Sequence, residues 1–159
     1  MALLIAASLV TAACAGADSN ERQILRAPVS TLDGDPLDLA DFVGGPLVVN
    51  FFAESCPPCV AEMPTFEAIA NEVAPDITFV GVSEDPSSVS ARRIIEQTGI
   101  TYPVVWDRDG SALVSFEALG MPTTLFVDRD GIILELHTGA LSAEDLRARL
   151  AEHFPSTPT

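Results

Sequence analysis

At 159 residues the chain is long enough to bury one proper core and too short for two ordinary domains. It carries 23 acidic against 8 basic residues, all of the latter arginine, for a net charge of −15. Such a surface repels phosphate backbones and anionic headgroups, which argues against a nucleic-acid partner and leaves a hydrophobic or lipid anchor as the route to any membrane.

Residues 1–17 read as an export leader. Leu3, Leu4, Ile5, Leu9 and Val10 make an apolar run, and Thr11-Ala12-Ala13-Cys14-Ala15-Gly16-Ala17 supplies small residues suited to cleavage. The run is shorter than the roughly 20 apolar residues of a membrane span. Ala12-Ala13-Cys14 resembles a bacterial lipoprotein box in which Cys14 becomes the lipid-modified terminus, although Thr11 stands where leucine is usual. Cleavage after Ala17, at Ala15-Gly16-Ala17, is the alternative. No Lys or Arg precedes the run, a pattern consistent with a true start upstream of Met1. The expected location is extracytoplasmic, in the cell envelope and lipid-anchored, or otherwise secreted.

Residues 18–26 read as a polar tether, 27–154 as a single domain and 155–159 as a loose tail. Residues 29–37 alternate and turn at Asp33-Gly34, predicting a hairpin at the domain's entrance. Residues 39–43 suggest a helical turn ended by Gly44-Gly45-Pro46, and 47–53 a continuously apolar, buried strand. The next helix carries Val60, Met63, Phe66, Ile69, Ala70 and Val73 at spacings of three and four, which marks Met63 and Phe66 as packing residues. Pro64 predicts a kink within it. A strand over 77–82, a helix over 87–97 ended near Gly99, an extended piece over 102–106 and a helix over 110–119 follow. Strands over 123–127 and 132–137 should pair as an antiparallel hairpin around Asp128-Arg129-Asp130-Gly131. Ser142 caps a last helix bearing Leu146, Leu150 and Phe154. Alternation of strands and helices predicts an α/β sheet with a parallel core.

Chemistry concentrates at Cys56-Pro57-Pro58-Cys59, at the junction of the buried strand and a helix start. A thiol attacks only as thiolate, and the unpaired N–H groups of a helix N-terminus lower the pKa of a cysteine held there. Cys56 is therefore the expected attacker. Cys59, one turn further in, is placed to resolve the mixed disulfide. Pro57 and Pro58 suit the first helical turn, where a missing N–H costs no bond, and should stiffen the ring. A structural zinc site would need two further ligands at close spacing, but Cys14, His137 and His153 offer none. Asp107, Asp109, Asp128 and Asp130 lie in two Asp-Arg-Asp-Gly turns without the later ligands of a calcium loop. No organic cofactor is expected; the Cys56–Cys59 pair is itself the redox group.

Two separated motifs resemble the thioredoxin fold and, within it, the extracytoplasmic TlpA and ResA type of thiol-disulfide oxidoreductase: Asn50-Phe51-Phe52-Ala53 through Cys59 with Ala61-Glu62-Met63-Pro64, and Gly120-Met121-Pro122-Thr123-Thr124 through Asp128. The resemblance implies a thioredoxin-like fold, a central mixed sheet flanked by helices, here with an N-terminal β-hairpin extension. It implies a cis bond before Pro122, with the Met121 backbone paired to a substrate strand, so that Met121, Pro122, Pro57 and Pro58 form the substrate-contacting group. It implies that Glu62 relays a proton for Cys59, provided that this side chain is buried rather than on the helix surface. Three positions depart from related patterns: Ser55 and Phe52 stand where tryptophans are common, and Asn50 where cytoplasmic thioredoxins bury an aspartate.

The function so implied is a protein disulfide reductase that takes electrons from a membrane thiol-disulfide donor and delivers them to oxidised proteins such as apocytochrome c. A disulfide-forming oxidase of the DsbE type would use the same residues, and a binding module with a static disulfide is the non-catalytic alternative. Ala53, where a peroxiredoxin needs threonine, argues against peroxidase chemistry.

Overall fold

A computed structural model describes residues 23–155. The elements run β1 (Pro28–Ser30), β2 (Pro36–Asp38), a 3-10 turn (Leu39–Phe42), β3 (Leu47–Phe52), α1 (Pro57–Val73), β4 (Thr78–Ser83), α2 (Ser88–Thr98), β5 (Val104–Trp106), α3 (Ser111–Ser115), β6 (Thr123–Val127), β7 (Ile133–Thr138) and α4 (Ala143–His153). The leader, Cys14, the first part of the expected tether and the tail beyond residue 155 lie outside the described residues. No helix among those described is long and apolar enough to cross a membrane.

The strands form one seven-stranded sheet in the order β2-β1-β5-β4-β3-β6-β7. Strand β3 runs parallel to β4, which runs parallel to β5, while β6 is antiparallel to both β3 and β7. β3 is buried at every position, as its unbroken apolar run requires of a strand covered on both faces. Side chains alternate across a strand, so its residues divide by parity. Leu47, Val49 and Phe51 join Leu25, Val29, Leu39 and Phe116 on one face. Val48 packs with Phe66, Ile69, Leu146 and Leu150, beneath α1 and α4, and Phe52 packs with Cys59, Met63 and Ile94. This is the expected thioredoxin-like arrangement, with β1 and β2 as the added hairpin on the β5 edge.

Several expectations need adjusting. The helix expected over 110–119 shrinks to Ser111–Ser115, because Phe116 leaves helical geometry and Glu117 turns to a φ of 57°. Pro64 lies inside α1 as expected, and the helix continues past it to Val73; loss of its bond to the Val60 carbonyl is offset by Met63 and Phe66, buried on either side of it. Residues 23–26, expected as tether, are tied to the domain through one side chain and the main chain: Leu25 is fully buried and donates its N–H to the Gly131 carbonyl at 2.7 Å, and Ile133 donates to the Gln23 carbonyl at 2.9 Å. The helix caps follow the sequence. Ser142 accepts the Asp145 N–H at 3.1 Å, and Gly99 ends α2 in the left-handed conformation.

Candidate active site

Cys56 and Cys59 form a disulfide whose Cα atoms are 5.3 Å apart. Cys56 is the N-cap of α1: its backbone is extended, and its Sγ accepts the Cys59 N–H at 3.3 Å. The turn before it is closed by the Cys56 N–H on the Ala53 carbonyl at 3.1 Å, and helical bonding begins with the Val60 N–H on the Cys56 carbonyl at 3.2 Å. Pro57 and Pro58 occupy the first helical positions and are exposed. Access divides the two sulfurs. Cys56 is partly exposed and Cys59 fully buried, so an incoming disulfide meets Cys56 first, at the positive end of the helix.

Against this pair lies the turn before β6. The Met121–Pro122 peptide is cis, Pro122 is buried, and Met121, like Cys56, packs against the cluster that contains Phe52 and Cys59. Thr123 Oγ1 donates to the Gly120 carbonyl at 2.6 Å, and Gly139 donates its N–H to the Pro122 carbonyl at 2.9 Å, which fixes the turn to β7. Of the two departures next to the cysteines, Ser55 is exposed and alters the surface, whereas Phe52 is fully buried and alters the packing under the disulfide.

Glu62 follows Cys59 by three residues, on the same helical face, and is only 5% exposed. Oε1 accepts Asn50 Nδ2 at 2.9 Å and Oε2 accepts the Leu141 N–H at 2.9 Å. Burial pushes its carboxyl above the ordinary carboxylate range, and the bonds from Leu141 and Asn50 offset part of that rise. The parity of β3 explains the contact: residue 50 points to the same side as Val48 and Phe52, toward α1. Asn50 also donates to Thr124 Oγ1 at 3.2 Å, which links Glu62 to the strand after the cis proline, and its Oδ1 is buried without a partner among the described residues. The sequence singles out Asn50 only as a departure. It gives no sign of Leu141, whose contribution is a main-chain N–H, nor of Thr124, which reads as an ordinary strand residue.

No three potential metal ligands gather among the described residues. The aspartates of the two Asp-Arg-Asp-Gly turns brace their own loops: Asp128 Oδ1 accepts the N–H groups of Asp130 and Ile132, both at 2.9 Å, and Asp107 Oδ2 accepts the Leu113 N–H at 3.0 Å.

The Redoxin family profile matches residues 21–150. The thioredoxin-like protein YneN of Bacillus subtilis is 29% identical over 125 residues, spanning 77% of this chain and 73% of that protein. The thiol-disulfide oxidoreductase ResA of Halalkalibacterium halodurans is 24% identical over 123 residues, spanning 77% of this chain and 70% of that one. A secreted Mycobacterium tuberculosis disulfide oxidoreductase homologous to E. coli DsbE superposes with a TM-score of 0.70 at 27% identity, covering 80% of this chain and 96% of the other. The chain belongs to the Redoxin family and, within it, to the thioredoxin-fold, ResA-like thiol-disulfide oxidoreductases.

Proposed function

We propose that this oxidoreductase works outside the cytoplasm as a protein disulfide reductase. The observation that carries the thiol-disulfide exchange is the asymmetry of the cysteines, one partly exposed at a helix N-terminus and the other buried behind it, and the reductase direction rests on the resemblance to the TlpA and ResA type. In the reduced enzyme the Cys56 thiolate attacks one sulfur of a substrate disulfide; a new S–S bond forms, the substrate bond breaks, and the departing substrate sulfur takes a proton. Cys59 then attacks Cys56 Sγ, the mixed disulfide breaks, and the second substrate sulfur leaves as a thiol. Glu62 accepts the Cys59 proton as that thiolate forms, a role supported by its burial and raised carboxyl. A membrane thiol-disulfide partner returns two electrons and two protons. The disulfide is the only redox group the cycle needs.

Met121 offers its backbone to an extended substrate segment, and Pro122, Pro57 and Pro58 frame the approach to Cys56. Oxidised envelope proteins, apocytochrome c among them, are the proposed substrates, and a lipid on Cys14 is the proposed anchor. Equilibration of the leaderless protein against a glutathione series, with thiol trapping and Cys56→Ser as control, tests the direction. A potential near or below about −250 mV supports the reductase, and one near about −120 to −180 mV makes the protein an oxidant or isomerase instead.

A further inference from the structure

Strand β4 ends at Ser83, and two residues later the chain buries a carboxylate that the thiol chemistry above does not use. Asp85 is 3% exposed. Its Oδ1 and Oδ2 both face the Glu54 N–H, at 3.0 and 3.2 Å. Ser83 Oγ donates to Oδ2 at 3.0 Å and accepts the Asp85 N–H at 3.2 Å, while Trp106 Nε1 donates to the Asp85 carbonyl at 2.7 Å. The carboxylate is therefore held by a hydroxyl and by its own main chain, and it spends both oxygens on one amide.

That amide belongs to the turn that presents Cys56. Glu54 is the second residue of the turn closed by the Cys56 N–H on the Ala53 carbonyl. The Glu54 side chain, in turn, meets Arg93 of α2 at 2.7 and 3.1 Å. This ion pair is solvent-exposed and so holds little. The buried contact at the Glu54 amide is of the strong kind, a charge-assisted hydrogen bond in a poorly solvated place. A buried carboxylate without a cation is costly, and a neutral apolar residue would fill the space at less expense.

We infer that Asp85 is a positioning residue for the redox centre: by gripping the Glu54 amide it fixes the turn that sets Cys56 over the first turn of α1. A thiolate gains from the helix N-terminus and from the Cys59 N–H only while Sγ stays there. The negative charge of Asp85 itself opposes a thiolate, so the geometric and the electrostatic effects carry opposite signs and two variants separate them. Asp85→Asn keeps an acceptor for Glu54 and removes the charge, whereas Asp85→Ala removes both. The inference rests on Cys56 as the attacker and not on the direction of electron flow.

The test is iodoacetamide alkylation of the reduced full chain across a pH series, read on the Cys56 peptide by mass spectrometry. Below the thiol midpoint, Cys56 in Asp85→Ala should react about tenfold more slowly than in Asp85→Asn, with its midpoint displaced upward by about one pH unit. Asp85→Asn should match the wild type or exceed it. Superimposable profiles for the two variants overturn the inference, even if their melting temperatures differ. If Asp85→Ala does not fold, Ser83→Ala, which releases one carboxylate oxygen and the Asp85 amide, replaces it: a slowed Cys56 supports the inference and a wild-type profile overturns it. A wild-type Cys56 that reacts like an unperturbed thiol would instead remove the attacker assignment on which the inference stands.

Discussion

Replacing Glu62 separates its architectural part from its chemical one. In Glu62→Ala the Leu141 N–H loses its acceptor in a buried place, while Asn50 keeps Thr124. One orphaned buried donor costs about 1–3 kcal/mol, so Glu62→Ala should be destabilised by about that amount. In Glu62→Gln, Oε1 can still take the Leu141 N–H, and Nε2 turns toward Asn50, whose Oδ1 has no partner. Rotating the Asn50 amide satisfies the new pair, so Glu62→Gln should lie within about 1 kcal/mol of the wild type. The pH dependence has a definite sign. The folded carboxyl is raised above its ordinary value of 4.5, so the native state binds the extra proton and the wild type loses stability as pH rises from there. Glu62→Gln lacks that loss and should gain on the wild type as the pH rises above about 4.5 in urea melts. Its resolving step, followed by stopped-flow on a preformed mixed disulfide, should slow by about a hundredfold at neutral pH and lose its pH-dependent limb. A wild-type rate and pH profile in Glu62→Gln would refute the proton-relay role. Equal stability of the two variants would refute the hydrogen-bond reasoning.

Cys59→Ser should accumulate a mixed disulfide between Cys56 and an oxidised protein substrate on non-reducing gels, because the buried resolving sulfur is gone; absence of any adduct counts against Cys56 as the attacker. Burial, reinforced by the nearby Asp107, Asp109 and Asp85, pushes the Glu84 carboxyl up to about 9. The wild type should therefore lose stability from about pH 4.5 through about pH 9, and Glu84→Gln should flatten that slope; parallel curves would show that the carboxyl titrates normally. At Gly81 a Cβ would fall 2.9 Å from Phe52 Cε1 and 3.3 Å from both Tyr102 and Val104. Gly81→Ala should cost about 1–3 kcal/mol in a urea melt, and an unchanged midpoint would mean that Phe52 has room to move.

Local pattern carried the elements that burial or capping decides. The unbroken run of β3, the three-and-four stripe of α1 and the Ser142 cap each act over a few residues, and each stands where expected. The helix α3 is shorter than its pattern implies because Glu117 adopts a positive φ, a conformation that a glutamate does not advertise. The cysteines are legible because their motif is contiguous in sequence, whereas the cis bond before Pro122 is legible only through the family resemblance. Glu62 was legible only as a question of burial, since its answer depends on Asn50, 12 positions away, and Leu141, 79 positions away. Nothing in the sequence around Pro75 sets the cis Ala74–Pro75 bond apart from other X-Pro bonds.

The packing of Leu25 bears on how the enzyme faces its surroundings. β3 runs from Leu47 toward the disulfide and β6 returns alongside it, with Val127 opposite Leu47, so the Gly131 turn that receives the Leu25 N–H sits at the far pole from Cys56. The chain thus enters the domain about one strand length, or roughly 20 Å, from the redox centre. On the lipid-anchored reading, a tether pulling at that pole turns the cysteines outward, so that the membrane holds the handle of the tool and the working end meets substrates from the open side.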